Sequence, residues 1–349
     1  MTMLRSDNNA GLCPEAARAI LDADDGHTPA YGDDPWTKRA VDAIRAVFGE
    51  STAVFFVATG TAANTLAIAS LTRPWQQVLC HRHSHYNDDE STAPERITGC
   101  RTQPIDTPHA KLTADDLQPF LQGGRGDVHQ PAPGVVTLTN PTEFGTVYTP
   151  DELAAICGLA HENGYRVHVD GARFANAVAS LDCDPKDLTA RAGVDAMSLG
   201  GTKNGLAAGE AVLFFPQGDG SAFEQAQHDF PFHRKSTGHL LSKHRFMAAP
   251  FAATLRDDIW LRHAGHANEM ARRLDAGLAD LGIERRFPVE ANGVFAVFQD
   301  ALHKHLQQAG HGYYPFGDAS WQVYRLMCSF DTTAETIDQL LADAEAALH

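Results

Sequence analysis

Ser198-Leu199-Gly200-Gly201-Thr202-Lys203-Asn204-Gly205 follows a short apolar run and precedes Ala211-Val212-Leu213-Phe214-Phe215, which reads as a strand. A lysine between glycines, in a turn joining two strands, is an uncommon use of that side chain. Glycine takes backbone conformations closed to other residues and lets a ligand come close. Lysine forms a Schiff base with a carbonyl. Alone, the stretch is equally a surface lysine on a glycine turn. Its meaning depends on what stands upstream.

Upstream, 33 positions before Lys203, Asp170 ends the strand Arg166-Val167-His168-Val169-Asp170, closed by Gly171-Ala172-Arg173. Further back, the apolar strand Ala53–Ala58 runs into Thr59-Gly60-Thr61-Ala62-Ala63-Asn64 and a helix to Ser70. A strand, a glycine turn and a helix N-terminus make an anion site from backbone N–H groups and the helix dipole. The turn lacks both the GxGxxG spacing and a P-loop lysine, which excludes a dinucleotide fingerprint and a nucleotide P-loop. Gln77–His81 is another strand, continuing into His81-Arg82-His83-Ser84-His85 and an acidic run to Glu90. If that strand persists, the three histidines share one face. A metal site is then one reading; a solvated turn with a single functional imidazole, and no metal, is the other and is preferred. Val135–Thr139 ends in Asn140-Pro141-Thr142-Glu143, and Thr149-Pro150-Asp151-Glu152 is a capping box opening a helix to about Asn163. A helix over Pro185–Ala192 and a strand over Ala196–Leu199 complete the approach to Lys203.

Repeated βα units of this length predict an α/β fold with a mostly parallel sheet between helices. Ligands of such sheets sit beyond the carboxyl ends of the strands. Gly60, His85, Thr142, Asp170 and Lys203 all come just after strands, so one pocket can collect them.

The flanks are simpler. Pro14–Ala23 reads as a helix. Tyr31-Gly32-Asp33-Asp34-Pro35 closes on an N-cap aspartate, and Trp36, Val41, Ile44 and Phe48 give the next helix its apolar face. From His239 a helical stretch runs to Leu281 with a break expected near Pro250. A smaller α+β unit follows: strand Gly293–Phe298, helix Ala301–Gln308, strand Tyr324–Phe330, and a last helix opened by Thr332-Thr333-Ala334-Glu335. The expected division is a large domain over 1–250 and a small C-terminal domain over 251–349.

The 349 residues, 43% of them hydrophobic, suffice for a large core. With 44 acidic against 28 basic residues the net charge is −16, which repels phosphate backbones and argues against a nucleic-acid partner. Six cysteines with no CxxC pair read as free thiols in a reducing compartment. No run approaches membrane-spanning length, and Arg5, Asp7 and Asn8 near the start give no signal-peptide pattern. The expectation is a soluble cytoplasmic protein.

Asp170 and Lys203 together suggest the chemistry. Pyridoxal phosphate needs a lysine for its aldehyde and a carboxylate that keeps its pyridine nitrogen cationic. It also needs a helix N-terminus for the phosphate, which Gly60 and Thr61 offer, and a flat face against the ring, for which His85 is the candidate.

These motifs, in this order, resemble the threonine aldolases, most closely the bacterial low-specificity L-threonine and phenylserine aldolases. Those are pyridoxal-phosphate enzymes of the aspartate-aminotransferase fold (fold type I). The likeness is carried by Leu4-Arg5-Ser6-Asp7, Tyr31-Gly32-Asp33-Asp34, Thr59–Asn64, His168–Arg173, Gly201–Gly205, Ser242–Phe246 and Tyr324–Cys328, nearly the whole chain. It implies that Lys203, beside Thr202, carries the cofactor, that Asp170 holds the ring nitrogen and that His85 stacks on the ring. It implies that Gly60 and Thr61 bind the phosphate with Lys243 of a neighbouring subunit. Ser6, Arg173 and Arg325 would bind the substrate carboxylate, Tyr31 would reach across a subunit interface, and His129 would lie near the substrate hydroxyl. Some members carry an arginine where Ser242 stands; here Lys243 and Arg245 are next door. The implied activity is cleavage of L-threonine, L-allo-threonine or phenylserine-type substrates to glycine and an aldehyde, in a homodimer or homotetramer, with His129 or His85, or water held by one, as base. Two other readings stand beside it. One keeps the cofactor for β-elimination or amino transfer; the other is a non-catalytic metal-binding protein using His81, His83 and His85.

Overall fold

The computed structural model describes residues 3–121 and 127–349. Seven strands form the larger sheet: β1 (Ala53–Val57), β2 (Gln76–His81), β3 (Arg101–Ile105), β4 (Ala132–Thr139), β5 (Arg166–Gly171), β6 (Ala196–Gly200) and β7 (Glu210–Phe214). Their spatial order is β1-β7-β6-β5-β4-β2-β3. β3, β2, β4, β5 and β6 pair in parallel. β7 runs antiparallel to both its neighbours. The central parallel strands are buried on both faces, with Val135, Val136, Leu138, Val167, Val169, Met197 and Leu199 in the core and Thr137, His168 and Ser198 buried between them.

This pairing decides what meets at one edge. The carboxyl ends of β1, β2, β4, β5 and β6 point the same way. β7, reversed between β1 and β6, brings its first residue there instead, so Glu210 lies opposite both Gly200 and Val57.

A second sheet, order β8-β10-β9, is antiparallel and comprises β8 (Gly293–Val297), β9 (Tyr314–Pro315) and β10 (Val323–Met327). The 22-residue helix Ile259–Asp280 serves both sheets. Its Trp260 and Ala264 pack into the core of the large sheet, and its Met270, Ala271, Leu274 and Leu278 into that of the small one. Leu4 also belongs to the small core. Its backbone bonds Gly312 and Met327, so the first residues of the chain are built into the last sheet.

Helix starts follow their caps. Asp34 accepts from Thr37 N–H at 2.7 Å ahead of Pro35, and Thr149 and Glu152 complete a capping box ahead of Pro150. The last helix opens one residue later than its capping-box pattern predicts: Thr333, not Thr332, is the cap. The break expected near Pro250 is displaced too. Pro250 lies inside helix Arg245–Leu255, and the chain breaks at Arg256–Asp258, where Asp257 and Asp258 take φ of 53° and 54°. Helix Ser221–Ser236, which carries Pro231, has a weak apolar stripe and was not anticipated. All six cysteines are unpaired. Among the described residues no helix is long and apolar enough to cross a membrane.

Leu4 is fully buried in the small core, so Leu4→Ala should cost about 2–5 kcal/mol, the range for a leucine truncated in a packed core. Urea denaturation of the two proteins measures it.

Candidate active site

Lys203 sits in a single 3₁₀ turn, Thr202–Asn204, directly after β6, and Gly205 closes the turn at φ 96°. Close packing forces glycine before it: a Cβ on Gly200 would lie 2.2 Å from the Ala172 carbonyl oxygen. The turn is held by its neighbours. Gly201 N–H donates to Glu210 Oε2 at 2.6 Å, and Asn204 Nδ2 donates to the Trp260 carbonyl at 2.9 Å. Burial pushes the Glu210 carboxyl up to about 7, against the pull of the Gly201 N–H and the Lys203 charge.

Asp170, at the end of β5, is 5% exposed. Its Oδ1 accepts from Ala172 N–H at 2.9 Å and its Oδ2 from Asn64 Nδ2 at 2.8 Å. The same Asn64 nitrogen donates to Glu90 Oε1 at 2.8 Å, and that oxygen lies 3.0 Å from His85 Nδ1. Thr65 Oγ1 donates to the other Glu90 oxygen at 3.3 Å. Burial raises the Glu90 carboxyl above its ordinary range. The hydrogen bond with Glu90 raises His85, outweighing its own burial.

A cleft of about 290 Å³ lies over the carboxyl edge of the large sheet, lined by Gly60, Thr61, His85, Asp170, Arg173 and Lys203 among others. Thr59 caps helix Gly60–Leu71 through Ala62 N–H at 3.3 Å. The Gly60 and Thr61 N–H groups, ahead of the first helical bond, stay free for an anion. Nothing lies within 4 Å of where a Gly60 Cβ would be. Arg173 and Glu143 also line a small adjoining recess, which Arg325 enters from β10. There Arg173 is bound on two nitrogens by Asp7, at 2.6 and 2.9 Å. Burial alone would raise the Asp7 carboxyl, but the Arg173 charge and hydrogen bonds hold it below the usual range. Arg325 has no such partner: its Nε is buried without a hydrogen bond among the described residues. Burial, then the Arg173 charge, lowers its proton affinity.

Several expected residues lie elsewhere. His129 is exposed in the turn before β4, at the amino edge of the sheet. The eight residues of β4 span roughly 26 Å to the edge that carries the cleft, so His129 does not reach its own chain's site. Tyr31 is 50% exposed and Lys243 is exposed, and neither lines the cleft. Arg245 is turned away onto Gly26 and Thr28. The Ser6 hydroxyl caps its own short turn through Asn8 N–H at 3.2 Å. The three histidines do not share a face, because β2 ends at His81. His81 bonds the Thr107 backbone, His83 faces Asp88 and His85 faces Glu90. Asp7, Asn64, Glu90 and Glu210 were not singled out from the sequence, although the first three stood inside quoted stretches, since the contacts of Asp7 with Arg173 and of Asn64 with Glu90 and Asp170 join distant segments.

Pyridoxal phosphate fits these residues. The cleft offers a lysine, a buried carboxylate hydrogen-bonded on both oxygens, an imidazole and a free helix N-terminus. It also holds an acceptor, Asn64 Oδ1, that is buried without a partner among the described residues.

The chain is similar to known proteins along its length. The family profile described as beta-eliminating lyase matches residues 3–301. A low-specificity L-threonine aldolase of Pseudomonas aeruginosa is 45% identical over 97% of this chain and 95% of its own length. A second, from Pseudomonas sp. strain NCIMB 10558, is 44% identical over 98% and 97%. The solved structure of a Leishmania major threonine aldolase superposes with a TM-score of 0.93 at 25% identity, covering both chains completely. An alanine–glyoxylate aminotransferase from Nostoc sp. shares the fold, with a TM-score of 0.71 at 18% identity over 100% of this chain and 96% of its own. The architecture is thus that of the fold type I pyridoxal-phosphate enzymes.

Removing the Asp7 charge leaves Arg173 buried and unpaired, so Asp7→Asn should cost about 3–5 kcal/mol near neutral pH. Because the folded state lowers the Asp7 pKa, the pair contributes fully above the unfolded carboxyl value of about 3.9 and is lost as pH falls through the folded one. The stability gap between the two proteins, followed by denaturation from pH 7 to 3, should narrow only below about 4.

Proposed function

The chain belongs to the beta-eliminating lyase family, and from that membership we propose that it is a pyridoxal-phosphate-dependent aldolase. Its reaction in this reading is the cleavage of L-threonine and L-allo-threonine, with phenylserine-type substrates alongside, to glycine and an aldehyde. The observation that carries it is the convergence of Lys203, Asp170 and the amino end of helix Gly60–Leu71 on one cleft, with an unpaired guanidinium in the adjoining recess. The names of the near full-length relatives support the choice of reaction.

When bound, pyridoxal phosphate supplies an aldehyde for the amino group of Lys203 and then of the substrate, and a cationic ring that accepts the electrons of the breaking bond. Asp170 would set an anion against the ring nitrogen, and its bonds to Ala172 N–H and Asn64 keep that carboxylate in place. The free N–H groups of Gly60 and Thr61 hold the phosphate. Arg325, with Arg173 beside it, takes the substrate carboxylate, as the planar guanidinium fork suits that group. Holding the carboxylate would fix how the substrate presents its Cα–Cβ bond to the cofactor. His85 presents Nε2, which has no hydrogen bond among the described residues. In this reading it takes the β-hydroxyl proton, directly or through one water, and the hydrogen bond with Glu90 that raises its proton affinity makes it a stronger base. Tyr31 and Lys243, exposed and outside their own cleft, serve the cleft of a second copy in a homo-oligomer.

Purified protein should release acetaldehyde from L-threonine and benzaldehyde from phenylserine, read by a coupled reductase and by absorbance. Keto-acid formation in place of aldehyde would sink the aldolase reading and favour elimination or amino transfer. Lys203→Ala should lose the yellow colour of bound cofactor and all aldehyde release. Arg325→Ala should keep the colour and raise the KM for threonine roughly 10–100-fold, the worth of a hydrogen bond to a charged group, about 1.5–3 kcal/mol. An unchanged KM removes Arg325 from the carboxylate site.

A further inference from the structure

We infer that Glu90 is the positioning residue of the cleft imidazole: through Asn64 it ties His85 to Asp170 and fixes the tautomer with the proton on Nδ1 and Nε2 turned to the cleft. The inference deepens the functional reading above and rests on it.

The side chain of Glu90 has no exposed surface. It lies in the segment after the short helix His85–Asp88, and its three side-chain partners are His85, Asn64 and Thr65. Two of these are donors whatever the imidazole does. Asn64 Nδ2 donates to Oε1 at 2.8 Å and Thr65 Oγ1 to Oε2 at 3.3 Å. A carboxylate that accepts on both oxygens accepts from the third partner as well, so the His85 Nδ1 at 3.0 Å is the N–H. The other ring nitrogen is then the one offered to the cleft, by the same logic that lets a carboxylate orient a catalytic or metal-binding imidazole. The amide of Asn64 is fixed too. Its one nitrogen reaches Glu90 and Asp170, both at 2.8 Å. Turned over, it would set its oxygen against two carboxylates.

Donor atoms of His85, Glu90 and Asp170 lie within 4.8 Å of one another, close enough for a cation. The Asn64 NH₂ already fills the gap between the carboxylates with positively polarised hydrogens, so the cluster is a hydrogen-bond bridge. The charged groups facing the His85 ring are Glu90, Asp170 at the end of β5 and Glu143 in the turn after β4. Glu90 is the one in direct contact. Removing its charge therefore withdraws the anion that hydrogen-bonds the ring and leaves Asp170 and Glu143, which make no hydrogen bond to it.

The test is Glu90→Gln, which keeps the shape and removes the charge. In ¹⁵N-histidine-labelled, cofactor-loaded, full-length protein the His85 signal is identified by its loss in His85→Asn. The wild type should carry its proton on Nδ1 in the neutral ring. Glu90→Gln should lower the His85 pKa by about one pH unit or more, as removal of an adjacent opposite charge does. The acid limb of kcat/KM should move down with it, and Glu90→Asp should recover part of both. If Glu90→Gln does not fold, Glu90→Asp alone decides, through a smaller shift in the same direction. Reduced cofactor loading or stability with His85 tautomer and titration unchanged would make Glu90 merely structural and overturn the inference. If the wild type releases no aldehyde, the aldolase reading fails separately, and the titration still judges Glu90.

Discussion

Arg173 and Arg325 line one recess with Glu143 in its wall, and Asp7 grips only the first of the two guanidiniums. Two guanidinium groups taken out of water repel, and each needs an anion to stay there. Asp7 takes Arg173 on two nitrogens and leaves Arg325 with a bare Nε. The recess keeps one guanidinium without a hydrogen-bond partner among the described residues, and an amino-acid carboxylate suits it. The Asp7 carboxylate also accepts from Asn292 Nδ2 at 3.1 Å, just ahead of β8. One ion pair therefore sets the wall of the cleft, the charge of the recess and the seat of the small sheet against the large one.

The reversed strand has a matching role on the other side. A fully parallel sheet would have carried the far end of β7 to the cleft. Because β7 runs against β1 and β6, Glu210 arrives there and holds the Lys203 turn by Gly201 N–H. The glycines around Lys203 answer to packing as much as to ligand approach. Residue 200 is pressed against the Ala172 carbonyl, next to Asp170 and Arg173. Lysine and aspartate are thus fixed relative to each other by backbone contact between two adjacent strand ends.

Much of this was legible in the sequence because it is local. Apolar runs bounded by glycines give the parallel strands, and helix Pro14–Ala23 and the caps at Asp34 and Thr149 are written in adjacent residues. The grouping of Gly60, His85, Asp170 and Lys203 follows from their place after strands. His129 shows where local reading stops: nearness to a strand does not say which end of it faces the site. The direction of β7 had no local mark, so Glu210 had none either. Glu90 and Asn64 look like any acidic turn and helix asparagine until residues 26 and 106 positions apart meet in the fold. Pro250 misled because an interior proline costs a helix one hydrogen bond, yet helix Arg245–Leu255 runs through it with Pro250 buried.

The first residues also act as a leash. Leu4 is stitched into the small sheet by hydrogen bonds to Gly312 and Met327, and Asp7 is clamped to Arg173 beside the large one. Only Arg5 and Ser6 separate the two anchors. Fully stretched, the three peptide steps between them reach about 10 Å. The two anchors can stand no further apart than that, so the small sheet cannot draw away from the large one beyond this tether without pulling one of them loose.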